Sequence, residues 1–165
     1  LAQKIDKAVF PGIQGGPHAN QIASTAVALY EAMQPGFKKY AKQVVKNAKA
    51  LAQELKHQSF RLVSGGTDTH LLLVDLRKQG ISGREASDRL EAQGIIVNKN
   101  TIPFDPRPPM EPSGIRLGTP ALTTRGMKEK EMEKIAGLIA NVLLRHKNVQ
   151  LEVKKLCKEF PLRYI

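Results

Sequence analysis

The chain has 165 residues, 41% of them hydrophobic, and carries 26 Lys and Arg against 15 Asp and Glu, a formal net charge of +11. That length holds one domain with a real core and excludes two large ones. The basic excess favours anionic partners, but only 5% of the residues are aromatic and none is tryptophan, which argues against a surface built to stack nucleic-acid bases.

Leucine at position 1 reads as the start of a fragment or a processed chain. A single cysteine, Cys157, excludes an intrachain disulfide framework and fits a reducing compartment. Its place on the apolar side of a helical stretch reads as a buried structural thiol. No run approaches the roughly 18 apolar residues of a membrane span, and nothing resembles a signal peptide. A soluble, cytoplasmic protein without membrane partners is expected.

In chain order, Ile5–Gly12 is a short apolar segment ended by Pro11 and Gly12, and Gln14-Gly15-Gly16-Pro17-His18 leads into a mostly apolar helix over Ile22–Tyr30. Apolar residues all round a helix predict burial or an interface. Gln34-Pro35-Gly36 interrupts it. A second helix carries Phe37, Tyr40, Ala41, Val44, Val45, Ala48, Leu51, Ala52 and Leu55 at spacings of three and four. Strands are predicted at Phe60–Val63 and His70–Leu76, joined by the Gly-containing turn Ser64–Asp68 into an antiparallel hairpin. A short helix starts at Ser82 or Gly83, carries Ala86, Leu90 and Ala92, and ends near Gly94. Ile95-Ile96-Val97 reads as another strand. Asn98–Ser113 holds five prolines and reads as an irregular loop long enough to be functional. A strand over Gly114–Gly118 and helices around Met132–Leu143 and Val149–Phe160 complete the chain. The order predicts a small α/β (α+β) sandwich, helices packed on a short, largely antiparallel sheet.

Two motifs carry chemistry. In Ser113-Gly114-Ile115-Arg116-Leu117-Gly118-Thr119-Pro120-Ala121, alternation buries Ile115 and Leu117 and turns Arg116 to the other face. A guanidinium held on a strand can grip both oxygens of a small carboxylate; an arginine simply solvated or paired at a strand end is the alternative. Gly15 and Gly16 expose backbone N–H groups at a helix start, which suits a phosphate, or else form a turn. Pro17 fits the first helical turn. His18 and His70 have no metal-ligand neighbours at ligand spacing. Lys99, between a strand and the proline-rich loop, reads as a Schiff-base lysine or as an exposed, loop-anchoring one.

Together with Phe10-Pro11, Ser64-Gly65-Gly66-Thr67, Val97-Asn98-Lys99-Asn100 and Thr124-Arg125-Gly126, these motifs occur in the order seen in serine hydroxymethyltransferase. The sequence resembles the carboxy-terminal part of that family, whose members are fold-type I pyridoxal-phosphate enzymes that interconvert serine and glycine and pass the one-carbon unit to tetrahydrofolate. The resemblance implies that residues 1–33 end the large cofactor domain and that 34–165 form the small carboxy-terminal domain. It implies that Arg116 binds the substrate carboxylate and that Gly16, with Gly15 beside it, donates its backbone N–H across a homodimer, or a dimer of dimers, to the cofactor phosphate. Asn100 matches a residue at the folate pocket. Pro108-Pro109-Met110 fill the segment that touches the pterin, where the family pattern is Ser-Pro-Phe and only the middle proline is shared. The family's Schiff-base lysine lies upstream of Phe10-Pro11, so the resemblance implies no catalytic residue within this chain and makes it inactive alone. A non-catalytic folding or dimerisation module, and a basic nucleic-acid-binding domain, are the competing readings.

Overall fold

The computed structural model describes residues 1–162. The chain forms two units, Leu1–Lys38 and Lys39 onward.

The first unit contains α1 (Ala2–Lys7), a kinked wide turn over Ala8–Ile13 and α2 (Ala19–Met33). Pro11 cannot donate to a helix ladder, Phe10 is extended (φ −130°, ψ 122°) and the Phe10–Pro11 peptide is cis. Helix α2 begins at Ala19 with His18 as its cap, so Pro17 precedes the helix instead of filling its first turn. The apolar circumference of α2 predicts burial or an interface; none of its residues is buried, and Ile22, Val27, Leu29, Tyr30 and Met33 are all exposed, so the first alternative is not met and the second stays open. A unit of this size cannot wrap an apolar helix on every side.

The second unit is a two-layer sandwich. Helix α3 (Pro35–His57), most of which belongs to it, buries Val44, Asn47, Ala48, Leu51, Ala52 and Leu55 along one stripe. The stripe runs as predicted except at its start, where Phe37 is exposed, and at Asn47, a fully buried polar residue that hydropathy cannot place. Asn47 donates from Nδ2 to Thr123 Oγ1 (2.9 Å) and the Met127 carbonyl (3.0 Å), and its Oδ1 accepts from Gln43 (2.9 Å). Every polar atom of the side chain is thereby satisfied, as a buried amide requires.

Strands β1 (Arg61–Leu62), β2 (Leu71–Asp75), β3 (Asn98–Asn100) and β4 (Gly114–Gly118) form one antiparallel sheet in the order β1-β2-β4-β3. The hairpin of β1 and β2 is present with shorter strands than predicted and a connection over 63–70 that opens with a tight turn at Val63–Gly65. The predicted strand at Ile95–Val97 is displaced to Asn98–Asn100. The Ile95 amide closes the end of the preceding helix on the Leu90 carbonyl, Ile95 and Val97 pack against the core, and pairing with β4 begins only at Asn98.

Leu62, Leu72, Val74, Ile115 and Leu117 share the inner sheet face and join side chains of α3, α4 (Gly83–Glu91) and α6 (Glu129–Arg145) in one core. Ser82 caps α4, its Oγ accepting from Glu85 N at 3.0 Å. Helix α5 (Pro120–Thr124) follows β4 directly, Pro120 taking its first position. Helix α7 (Gln150–Glu159) closes the described fold. Cys157 on α7 is exposed, which corrects the buried thiol: the half-buried residues of α7 are Val153 and Leu156, and Cys157 lies beside that stripe.

Helix α4 and strand β4 meet without a side chain between them. Gly83 N donates to the Pro112 carbonyl at 2.6 Å, and a Cβ on Gly83 would stand 2.0 Å from the Gly114 oxygen. Gly114 in turn faces Ile102 Cγ2 and the Val74 oxygen, 2.6 and 2.8 Å from where its own Cβ would be. Glycine is needed at both positions for room.

Candidate functional site

Register places the predicted site residues. Arg116 sits mid-strand on β4, opposite Leu73 of β2 and Asn98 of β3. Directly paired residues share a face, so Arg116 projects from the outer face while Ile115 and Leu117 are buried. Asn100, two residues along from Asn98, lies on that same outer face. The sheet thus brings Arg116 and Asn100 together as diagonal neighbours, and Asn98 between them is a residue that sequence reasoning did not single out. Its signal was the two-residue step from Asn100.

Arg116 is exposed, and among the described residues its guanidinium makes no ion pair or hydrogen bond. The reason is local. The acid nearest to it in register, Asp75, is only 2% exposed and already engaged, by Arg77 at 2.8 Å and Arg61 at 3.3 Å. The hydrogen bonds from Arg77 hold the Asp75 carboxyl below its usual range against the opposing effect of burial. The outer face therefore keeps Arg116 as an uncompensated cation beside half-buried Leu71 and Leu73.

The low value for Asp75 fixes the sign of a pH effect. An acid more readily ionised in the folded chain than in the unfolded one adds stability above the unfolded value, near 3.9, and that contribution fades as pH falls toward the folded value. Urea midpoints measured from pH 7 down to pH 2 should fall in acid, and Asp75→Asn should flatten part of that slope. An unchanged slope would show that the buried pair is not linked to folding.

Asn100 donates from Nδ2 to the Thr101 carbonyl (2.7 Å), which leaves its Oδ1 open among the described residues. The turn holding Pro108, Pro109 and Met110 is exposed and closed by a Glu111 N bond to the Pro108 carbonyl at 2.9 Å. Asp105 underlies this turn. Its Oδ2 accepts from Ile102 N (3.2 Å) and Ser113 N (2.8 Å), its Oδ1 from Arg107 N (3.0 Å) and Ser113 Oγ (2.6 Å). Burial opposes ionisation of Asp105, yet those four donors outweigh it and hold the carboxyl far below the usual range. The residues from 101 to 113 that read as an irregular loop are thus internally tied. The missed signal was Asp105-Pro106, a dipeptide that favours turns.

Gly15 and Gly16 lie in the first unit, just before α2. Neither lies in the left-handed region of φ, neither would place a Cβ within 4 Å of anything, and neither N–H donates to a described residue. Nothing in the unit itself demands glycine there. Lys99 is exposed on the edge strand β3, and no group of three His, Cys, Asp or Glu gathers among the described residues. No described helix is long and apolar enough to cross a membrane. An apolar cavity of about 340 Å³, lined by Ile95, Leu122, Ile135, Val153 and Leu156 among others, opens beside α7. Among the described residues its one charged wall residue, Arg125, is committed to the carbonyls of Phe160 (2.7 Å) and Cys157 (3.0 Å).

Comparison with known proteins decides the family. The model of the serine hydroxymethyltransferase family matches residues 1–139. The chain belongs to the serine hydroxymethyltransferase family. It is 55% identical over 169 aligned positions to the serine hydroxymethyltransferase of Koribacter versatilis (strain Ellin345), a match that covers 98% of this chain. The chain spans 39% of that relative's length, so it corresponds to one portion of a serine hydroxymethyltransferase.

Proposed function

We propose that this chain supplies the substrate-carboxylate and folate side of a pyridoxal-phosphate-dependent hydroxymethyltransferase that interconverts serine and glycine with tetrahydrofolate as one-carbon acceptor. The observation that carries the reading is Arg116, a guanidinium held mid-strand with no ion pair or hydrogen bond among the described residues. It would grip both carboxylate oxygens of serine or glycine and so fix the orientation of the bonds at Cα. Gly15 and Gly16 fit the cofactor's phosphate: their N–H groups, which have no acceptor among the described residues, and the space around their Cα atoms are what an anion needs to approach a backbone. When bound, pyridoxal phosphate supplies the electron sink for chemistry at Cα. Asn100, through its open Oδ1, and the Pro108–Met110 turn would face the pterin of the folate.

In this reading residues 1–33 complete the large cofactor domain and 34–165 form the small one. The active form is a homodimer, or a dimer of dimers, in the cytoplasm, with the Gly15–Gly16 amides serving the partner's cofactor. The exposed apolar side chains of α2 support an assembly in which other protein covers them.

The test is reductive trapping. Pyridoxal phosphate and borohydride applied to the 165-residue chain should leave no stoichiometric adduct by mass spectrometry, whereas the complete protein should carry one at a lysine outside this chain. A single adduct at Lys99 of the isolated chain would overturn the reading.

A further inference from the structure

We propose that Asp105 is a positioning residue for folate capture, acting as a clasp that joins the last rung of the β3–β4 ladder to the exposed turn carrying Pro108–Met110. The inference rests on the hydroxymethyltransferase reading and deepens it.

The clasp follows from which donors meet on one carboxylate. Ile102 lies two residues after Asn100, and Ser113 directly precedes Gly114, the residue paired with Asn100. By holding both amides on Oδ2, Asp105 closes the chain immediately beyond that rung. Arg107 N and Ser113 Oγ share Oδ1, and these two residues are the feet of the exposed turn between them. One side chain therefore sets the position of the turn relative to the two strands that present Asn100 and Arg116. Strand β4 is independently fixed, because the Ser113 carbonyl accepts from Leu76 N (2.9 Å) and the Pro112 carbonyl from Gly83 N (2.6 Å). Releasing the clasp frees the turn and the end of β3 while β4 and Arg116 stay in place.

The surface that the clasp stiffens has the character of a contact face. Phe104, next to Asp105, is 99% exposed and held at φ 54°, a conformation a bulky residue adopts only when its surroundings impose it. Met110 is exposed as well. Apolar side chains presented from a tied loop suit the flat, largely apolar faces of a fused heteroaromatic ring, and the Asn100 amide suits its polar edge. Asp105 itself, with both oxygens saturated by donors, has no capacity left to touch a ligand.

The experiment compares Ser113→Ala, which removes one of the four bonds, with Asp105→Asn and Asp105→Ala in the complete holoenzyme. The half-saturating tetrahydrofolate concentration should rise in that order, reaching about tenfold for the alanine variant. The glycine and serine affinities, read from cofactor absorbance, should stay within about twofold of wild type. If Asp105→Ala does not fold, Ser113→Ala and Asp105→Asn still give the ordering. An unchanged folate dependence would overturn the proposal, and so would a parallel loss for serine and folate or a fall in kcat alone. Wild-type protein that turns over serine without any dependence on folate would instead sink the functional reading on which the clasp rests.

Discussion

Arg116→Ala in the complete protein is expected to abolish measurable serine and glycine binding while the cofactor remains bound. Losing one side of a desolvated, bidentate charge pair weakens binding by about 2–5 kcal/mol, or roughly 30-fold to more than a thousandfold at about 1.4 kcal/mol per decade. Arg116→Lys should recover little of this. An ammonium is a point charge on a flexible stem and cannot reproduce the planar fork, and the neighbours of Arg116 on the outer face, Leu73 and Asn98, hold no second cation to complete the grip. The variants should fold normally, because Arg116 is exposed and among the described residues makes no ion pair or hydrogen bond. Glycine titration followed by cofactor absorbance is the decisive measurement. Wild-type glycine affinity in either variant would remove Arg116 from the site.

The second large effect concerns stability. Gly83→Ala should destabilise the chain by about 3 kcal/mol or more, since overpacking by one methyl group usually costs about 1–3 kcal/mol and here the obstacle is backbone. The added Cβ would stand 2.0 Å from the Gly114 oxygen and 3.1 Å from the Pro112 oxygen, so either α4 or β4 must move. Gly137, inside α6, has nothing within 4 Å of its Cβ position. Gly137→Ala should therefore stabilise by about 0.5–1 kcal/mol through helix propensity. Urea denaturation of the two variants beside wild type checks both signs, and equal midpoints for Gly83→Ala and wild type would refute the close contact.

How far the sequence reaches can be judged residue by residue. The alternation at Ile115-Arg116-Leu117 is a period-two signal flanked by glycines, and it places the arginine on the correct face because the hydrophobic effect selects which face is buried. The α3 stripe is legible for the same reason. Strand β3 is not: Asn98-Lys99-Asn100 is polar, and its strand character comes from backbone bonds to β4, which carry no hydropathy signature. Apolar Ile95–Val97 attracts the strand assignment while serving as packing. Asn47 and Asp75 are hidden in the same way. Each is buried because partners that hydropathy does not register satisfy it: Thr123 and Met127, distant in sequence, for Asn47, and for Asp75 Arg77 two residues on together with the more distant Arg61. Helix α2 is a different case: its apolar composition predicts burial or an interface, and with its side chains exposed only the interface alternative stays open, since composition reports what a surface needs and not whether this chain provides it. For the candidate site, Arg116 stands out from its strand pattern and Asn100 only through the family resemblance, and their sharing of one sheet face depends on the β3–β4 register.

The ends of the sheet order bear on how copies of this protein can meet. Strand β1 is two residues long and begins with an arginine, and strand β3 is three residues long with Lys99 at its centre. Brief, charged margins give an incoming strand too few amides to pair with and a cation to desolvate. Continuous cross-β stacking through this sheet is thereby blocked at both sides, so a basic chain with a hydrophobic strand such as Leu71–Val74 at its centre keeps that strand from templating aggregation.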